Sequence, residues 1–220
     1  MNGSVAVFVK TSSISPVKTR LALTMGKEKS EQIYKVLVKY TELICREIRK
    51  RQKVSTYWAV AEEDQINNPI WKNMDRIWTG EGGLGERMEN VYNRLLEKHD
   101  FVILIGADCP QLSYEVLLAA CNSLDTIPFV VGPSFDGGFY LFGGKLPLTS
   151  TIWIDTPYSK SNTREIFCSK IMNNTSFRIV ELPMLYDIDT EGDLMNVLPL
   201  LSKPIQKKLL HIISQRSIYT

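Results

Sequence analysis

The 220-residue chain is short of the side chains that carry most nucleophilic, thiolate and imidazole chemistry. Only two histidines are present, His99 expected at a helix end and His211 on an amphipathic helix. No Ser/His/Asp pattern surrounds either, so a catalytic triad is excluded and both read as structural. The four cysteines, Cys45, Cys109, Cys121 and Cys168, include no C-x-x-C pair and have no histidine at ligand spacing. Each lies in or beside an apolar segment, which points to reduced core thiols of a cytosolic protein rather than to disulfides or zinc. No apolar run approaches membrane-spanning length, and a strand is expected within a few residues of Met1, which leaves no room for a signal peptide. A cytoplasmic protein is therefore expected. The phosphate loop G-x-x-x-x-G-K is absent, as are repeats, low-complexity tracts and linkers. Formal net charge is only +2, so neither nucleic acid nor a membrane surface is an expected partner. A local basic run (Arg46, Arg49, Lys50, Arg51, Lys53) falls at an expected helix end, where cations suit the dipole.

What remains is ordinary globular composition, 44% hydrophobic and 23% charged, and one α/β domain over residues 1–220 is expected. Its organising stretch is 101–110. Five consecutive apolar residues, Phe101 to Ile105, fit a strand buried on both faces at the centre of a mostly parallel sheet. The run ends in Gly106, a lone carboxylate at Asp108, and Pro110. Ligands of open α/β sheets bind outside the carboxyl ends of the strands, where Asp108 would sit. A carboxylate there suits a divalent cation, or it caps the following turn or helix.

The other elements follow in order. A first buried strand is expected over 4–10, followed by a polar, hydroxyl-rich loop over 11–20 broken by Pro16. Lys10, Lys18 and Arg20 on that loop suit phosphate oxygens, or else merely solvate a surface. A helix is expected over 30–49 from the spacing of Ile33, Leu37, Tyr40, Ile44 and Ile48. Strands are expected over 54–60 and, as a short edge, 76–78, with a loop at 64–69. The stretch 80–88 (GEGGLGERM) opens a helix carried by Met88, Val91, Leu95 and Leu96. Its glycines permit close backbone approach to a ligand, with Arg87 in the first turn, or make a plain connector.

Ser113 is positioned to cap a helix to about residue 122, and a short strand is expected over 128–132. Asp136-Gly137-Gly138 between two apolar runs is either a hairpin turn or a floor for a substrate. Residues 153–157 read as a loop, and Asn162 with Glu165 as a capping box for a helix through 172. A last strand is expected over 177–182. Thr190 with Asp193 marks another helix start, leaving Asp187 and Asp189 on the preceding loop, where either could join Asp108 at a metal or support a cap. A basic amphipathic helix is expected over 204–215.

Taken together and in order, Lys10 with PVKTRL (16–21), LGERM (84–88), GADCP (106–110), GPSFDGGFY (132–140) and DIDT (187–190) resemble a known family. It is the GT-A-like "glycosyltransferase-like" domain family of the nucleotide-diphospho-sugar transferase superfamily, with molybdenum-cofactor and phospholactate guanylyltransferases among its relatives. The resemblance spans about residues 5 to 195. It implies a three-layer α/β/α sandwich with a mostly parallel sheet, binding a nucleotide over the first strand's loop. It also implies that Lys18 and Arg20 contact phosphates, with Lys10 beside them. Gly82, Gly83 and Arg87 would line the nucleotide pocket. Asp108 would hold Mg²⁺ or Mn²⁺, with Asp189 as a candidate second ligand, and Asp136, Gly137 and Gly138 would face the acceptor. Two stretches depart from the family pattern: a Pro-Gly pair before Val-Lys-Thr-Arg is replaced by Ser12-Ser13-Ile14-Ser15-Pro16, and a Trp-Ser-Thr by Trp153-Ile154-Asp155-Thr156.

The activity expected is that of a nucleotidyltransferase. It would join an NTP to a small phosphorylated or hydroxylic acceptor and release pyrophosphate, with Lys18 and Arg20 stabilising the leaving group. A glycosyltransferase using a nucleotide-diphospho-sugar, and a non-catalytic nucleotide- or sugar-binding module, are the alternatives. Base, acceptor and oligomeric state are not legible.

Overall fold

The structure is a computed structural model that describes residues 1–174 and 177–215. Its strands are β1 (Gly3–Val9), β2 (Val54–Val60), β3 (Asp75–Trp78), β4 (Phe101–Gly106), β5 (Phe129–Pro133), β6 (Phe139–Gly144) and β7 (Ile179–Glu181). They form one sheet in the order β3-β2-β1-β4-β6-β5-β7. Every pairing is parallel except the two made by β6, which runs antiparallel to both β4 and β5. The helices are α1 (Thr19–Met25), α2 (Lys27–Arg51), α3 (Leu84–Leu96), α4 (Tyr114–Thr126), α5 (Ser150–Ile154), α6 (Thr163–Asn174), α7 (Glu191–Val197) and α8 (Lys203–Ser214).

The central strand explains the layering. Successive side chains of a strand point to opposite faces, so an unbroken apolar run needs a core on each side. Ile103 and Ile105 of β4 join Ile44, Cys45 and Ile48 of α2 and Leu117 and Leu124 of α4. Val102 and Leu104 join Val91 and Leu95 of α3, Trp153 of α5 and Phe167 of α6. That is the expected three-layer α/β/α sandwich. A third apolar cluster, including Leu21, Leu37, Ile188, Leu194 and Leu209, packs α1, α7 and α8 onto α2.

Helix α2 extends further than the apolar stripe suggests at both ends, from Gly26 with φ 82° to an extended Gln52. Arg49, Lys50 and Arg51 fill its last turn and complement the dipole, as the sequence suggests. Helix α1 is not foreseen, because its seven residues, set between Pro16 and Gly26, are too few for periodicity to register. The stretch read as a loop at 153–157 begins inside α5. Trp153 is fully buried against Tyr92, Phe142 and Phe167, with ring centroids 5.2–5.5 Å away. Emptying such a site costs about 3–5 kcal/mol, so Trp153 is a packing residue of this layer. The four cysteines are free and buried, as expected. His99 meets the Tyr57 hydroxyl at 3.1 Å, and burial lowers its pKa. Among the described residues no helix is long and apolar enough to cross a membrane.

Candidate functional site

A cavity of about 760 Å³ opens at the carboxyl ends of β1 and β4. Of the residues singled out in the sequence, Lys10, Lys18, Arg20, Arg87, Asp108, Asp136, Gly138 and Asp189 line it. Gly82, Gly83 and Gly137 are not on its wall.

The first loop carries no glycine and is anchored by side chains instead. The Tyr34 hydroxyl accepts from the Lys10 N–H and donates to the Lys10 carbonyl, both at 2.9 Å. The Thr11 N–H donates to Glu62 Oε2 at 3.0 Å, and the Thr11 carbonyl accepts from Ile14 and Ser15 N–H groups at 2.9 Å. The loop ends at Lys18 in the left-handed region (φ 48°, ψ 46°), a conformation uncommon for a side-chain-bearing residue. Sequence reasoning sets Lys18 on an open polar loop; the chain instead buries it, with 6% of the side chain exposed. Its Nζ lies 2.9 Å from Asp108 Oδ2 and 3.0 Å from Asp189 Oδ1. Burial alone would lower the Lys18 pKa, but the two carboxylates outweigh it and hold the ammonium charged. Arg20 lies in the first turn of α1, largely exposed, with Nη1 3.7 Å from Asp189 Oδ2.

Asp108 does not cap α4. Ser113 does, its Oγ accepting from the Val116 N–H at 3.3 Å. Burial opposes ionisation of Asp108, yet Lys18 prevails and holds its pKa below the usual carboxylate value. A side chain at Gly106 would meet Asp108 Oδ1 at 2.5 Å, so glycine there leaves the carboxylate room in its present position. The Asp108 carbonyl accepts from the Ile188 N–H at 3.0 Å, which brings the DIDT segment alongside. Thr190 and Asp193 make the expected capping box at the start of α7.

Asp187 is the residue that sequence reasoning named without choosing. Its carboxyl is buried, Oδ1 has no hydrogen-bond partner, and it lines the cavity. Burial first, then the charges of Asp108 and Asp136, push its pKa well above the ordinary value. Alternation along an extended segment was the available signal, but it could not tell Asp187 from Asp189. Cys109, next to Asp108, is likewise raised by burial and stays a thiol.

Gly82 (φ 90°) and Gly83 shape the turn into α3 rather than the cavity wall, and Glu86 Oε2 accepts from the Gly83 N–H at 2.6 Å. Arg87 ties that turn down: Nε donates to the Gly82 carbonyl at 2.9 Å, and Nη1 to the Ala61 carbonyl and Thr79 Oγ1 at 3.3 and 3.4 Å.

Asp136-Gly137-Gly138 forms the hairpin turn between β5 and β6, and Asp136 and Gly138 line the cavity. Asp136 Oδ1 accepts from Ser134 Oγ at 2.6 Å and from the Gly138 N–H at 2.9 Å. The demanding glycine is Gly137 (φ 88°), where a Cβ would fall 1.8 Å from the Ser161 carbonyl oxygen; Gly138 has ordinary φ and looser surroundings. The segment 158–161 therefore presses on the hairpin and supplies Tyr158, Ser159, Lys160 and Ser161 to the wall, none of them foreseen.

This sheet order, with its site at the carboxyl ends of β1 and β4, is the GT-A or nucleotidyltransferase-like α/β fold. The chain belongs to the family described as "Uncharacterized protein conserved in bacteria (DUF2064)", whose pattern matches residues 45–160. Among solved structures, it is similar to a provisionally assigned nucleotide-diphospho-sugar transferase from Desulfovibrio desulfuricans G20. That likeness has 22% identity and a TM-score of 0.83, and covers 96% of each chain. A 4-diphosphocytidyl-2C-methyl-D-erythritol synthase from Anaerococcus prevotii DSM 20548 shares 12% identity at TM-score 0.55, over 88% of this chain and 93% of that one. Glucosyl-3-phosphoglycerate synthase from Mycobacterium tuberculosis, in complex with Mn²⁺, uridine diphosphate and phosphoglyceric acid, shares 10% at TM-score 0.53, over 99% and 80%. No curated protein matches the chain.

Proposed function

We propose that the protein is a nucleotide-dependent transferase of the nucleotidyltransferase type, joining an NTP to a small phosphorylated or hydroxylic acceptor with release of pyrophosphate. The observation that carries this reading is the gathering of Lys10, Lys18, Arg20 and Arg87 on the cavity wall around the end of β1. A polyphosphate bound there would meet positive charge held by the fold before it arrives, which is how phosphoryl-transfer sites stabilise a leaving group. Lys18 would orient the phosphates from a fixed position, whereas Lys10 and Arg20, both exposed, would close on them from the rim. No side-chain nucleophile is required, in keeping with a Cys109 thiol held protonated.

The donor set fits Mg²⁺ or Mn²⁺. Asp108 and Asp187 are near enough to raise the pKa of Asp187, and Asp187 Oδ1 is buried without a partner. Such an ion keeps several waters and takes phosphate oxygens, so two carboxylates would suffice to hold it. Both oxygens of Asp189 already face cations, so Asp187 is the better second ligand to Asp108. When bound, such an ion would neutralise charge on the phosphates.

One observation favours glycosyl transfer instead. Lys18 and Arg20 are already matched by Asp108 and Asp189, so on the β1 side only Lys10 and Arg87 have no carboxylate partner among the described residues, a balance suited to a diphosphate. A thermal-shift screen of the four NTPs and of nucleotide-sugars, with and without Mg²⁺ or Mn²⁺, tests the two, because a ligand of the folded state raises its midpoint. Metal-dependent shifts with NTPs and release of pyrophosphate are expected. Shifts confined to nucleotide-sugars, with release of a nucleoside diphosphate, would replace the first reading by the second.

A further inference from the structure

The cations of the cavity are not equally engaged. Lys18 and Arg20 face carboxylates, and Arg87 donates to three protein oxygens. The Lys160 ammonium has no ion-pair partner among the described residues, although it lines the same cavity. Its neighbour Arg164 is committed to Glu181.

The wall around Lys160 is fixed. The Lys160 N–H donates to Thr163 Oγ1 at 3.1 Å, and the Arg164 N–H donates to the Gly137 carbonyl at 3.0 Å. Ser159 takes the left-handed region at φ 60°, and the Gly137 backbone abuts the Ser161 carbonyl. This wall rests on the hairpin at β6, two sheet positions from β1, and strand spacing puts the two ends roughly 10 Å apart. Lys160 thus lies on a different wall of the cavity from Lys18 and Arg20.

We infer that the acceptor carries an anionic group, a phosphate or a carboxylate, which seats against Lys160 between the hydroxyls of Ser159 and Ser161. The inference rests on the transferase reading of the cavity, and it narrows the acceptor to a hydroxylic anion rather than a neutral sugar or polyol. A neutral acceptor would leave the ammonium unmatched at the moment water is displaced from the cavity.

The test is calorimetric titration of glycerol 3-phosphate, glycerate and glycerol into protein loaded with a non-hydrolysable nucleoside triphosphate and Mg²⁺. At least one of the two anions should bind, with glycerol far weaker, and the better anion separates phosphate from carboxylate. Lys160→Gln should weaken anion binding about tenfold or more through loss of a charge-assisted hydrogen bond, Lys160→Arg should retain most of it, and nucleotide affinity should stay unchanged in both. Anion binding that ignores Lys160→Gln, glycerol binding as tightly as the anions, or no anion binding at all would overturn the inference. Failure of the transferase reading looks different: no nucleotide would bind, while glycerol 3-phosphate titrated into the unloaded protein would still bind in a Lys160-dependent way.

Discussion

On the β1 side of the cavity, Lys18 and Arg20 meet Asp108 and Asp189 at 2.9, 3.0 and 3.7 Å, whereas on the β6 side Lys160 meets no carboxylate among the described residues. The first arrangement centres on the buried Lys18, is internally neutral and is part of the fold. The second is exposed, rigid in its backbone and electrostatically open. A cation paired within the fold and a cation left unpaired among the described residues therefore lie in one cavity. What separates them is whether burial has forced a partner on them.

The sharpest way to break the contrast is Lys18→Met. It leaves Asp108 and Asp189 facing each other without their shared counter-ion. Removing one partner of a fully buried pair costs about 3–5 kcal/mol; with both carboxylates partly exposed, about 2–3 kcal/mol is expected by chemical denaturation at neutral pH. The loss should shrink in acid. The folded pKa of Asp108 lies below its unfolded value, so its contribution is present above the ordinary carboxylate pKa and disappears as pH falls through the folded one.

Next comes Gly137→Ala, which strains a left-handed φ and drives a methyl into the Ser161 carbonyl. It should destabilise by about 1–3 kcal/mol and loosen the Lys160 wall, whereas Gly138→Ala should cost under about 1 kcal/mol. Equal effects at the two glycines, measured by urea unfolding, would mean that hairpin and wall are not locked together.

Asp187→Asn probes the carboxyl that belongs to neither wall. Its folded pKa is raised, so whatever it contributes is present below the unfolded value and lost as pH rises through the folded one. The Asn variant should therefore match the native protein near about pH 4 and exceed it increasingly as pH rises towards neutral and above, read from paired melts. Smallest of all, Arg20→Gln should move stability by less than about 0.5 kcal/mol, because the pair is long and exposed, while weakening nucleotide binding in the thermal-shift screen.

Much of this arrangement is legible in the sequence. Five apolar residues ending in Gly106 and Asp108 locate the middle of the sheet and the mouth of the cavity, because a doubly buried strand has few other ways to be written. Ser113 and the Thr190–Asp193 box are equally plain, since caps are local chemistry. What stays hidden is set by contacts distant in sequence. Lys18 reads as a loop cation until Asp108 and Asp189, 90 and 171 residues away, close on it. Lys160 carries no local mark at all; only the packing of Ser161 on Gly137 brings it to the cavity. Gly82 and Gly83 mislead for the opposite reason, as glycine permits an approach without saying what approaches.

The reversed strand β6 has a consequence for how such a protein can change. Because β5 and β6 meet through a short turn at the cavity end, that portion of the wall is written in one contiguous stretch of chain beside a sheet whose order it does not alter. Lengthening or exchanging residues 134–138, together with the segment 158–161 that rests on them, would reshape one wall while β1, β4 and the Lys18 pairing kept their register. That wall can be exchanged as a cassette, with no new topology and no new core.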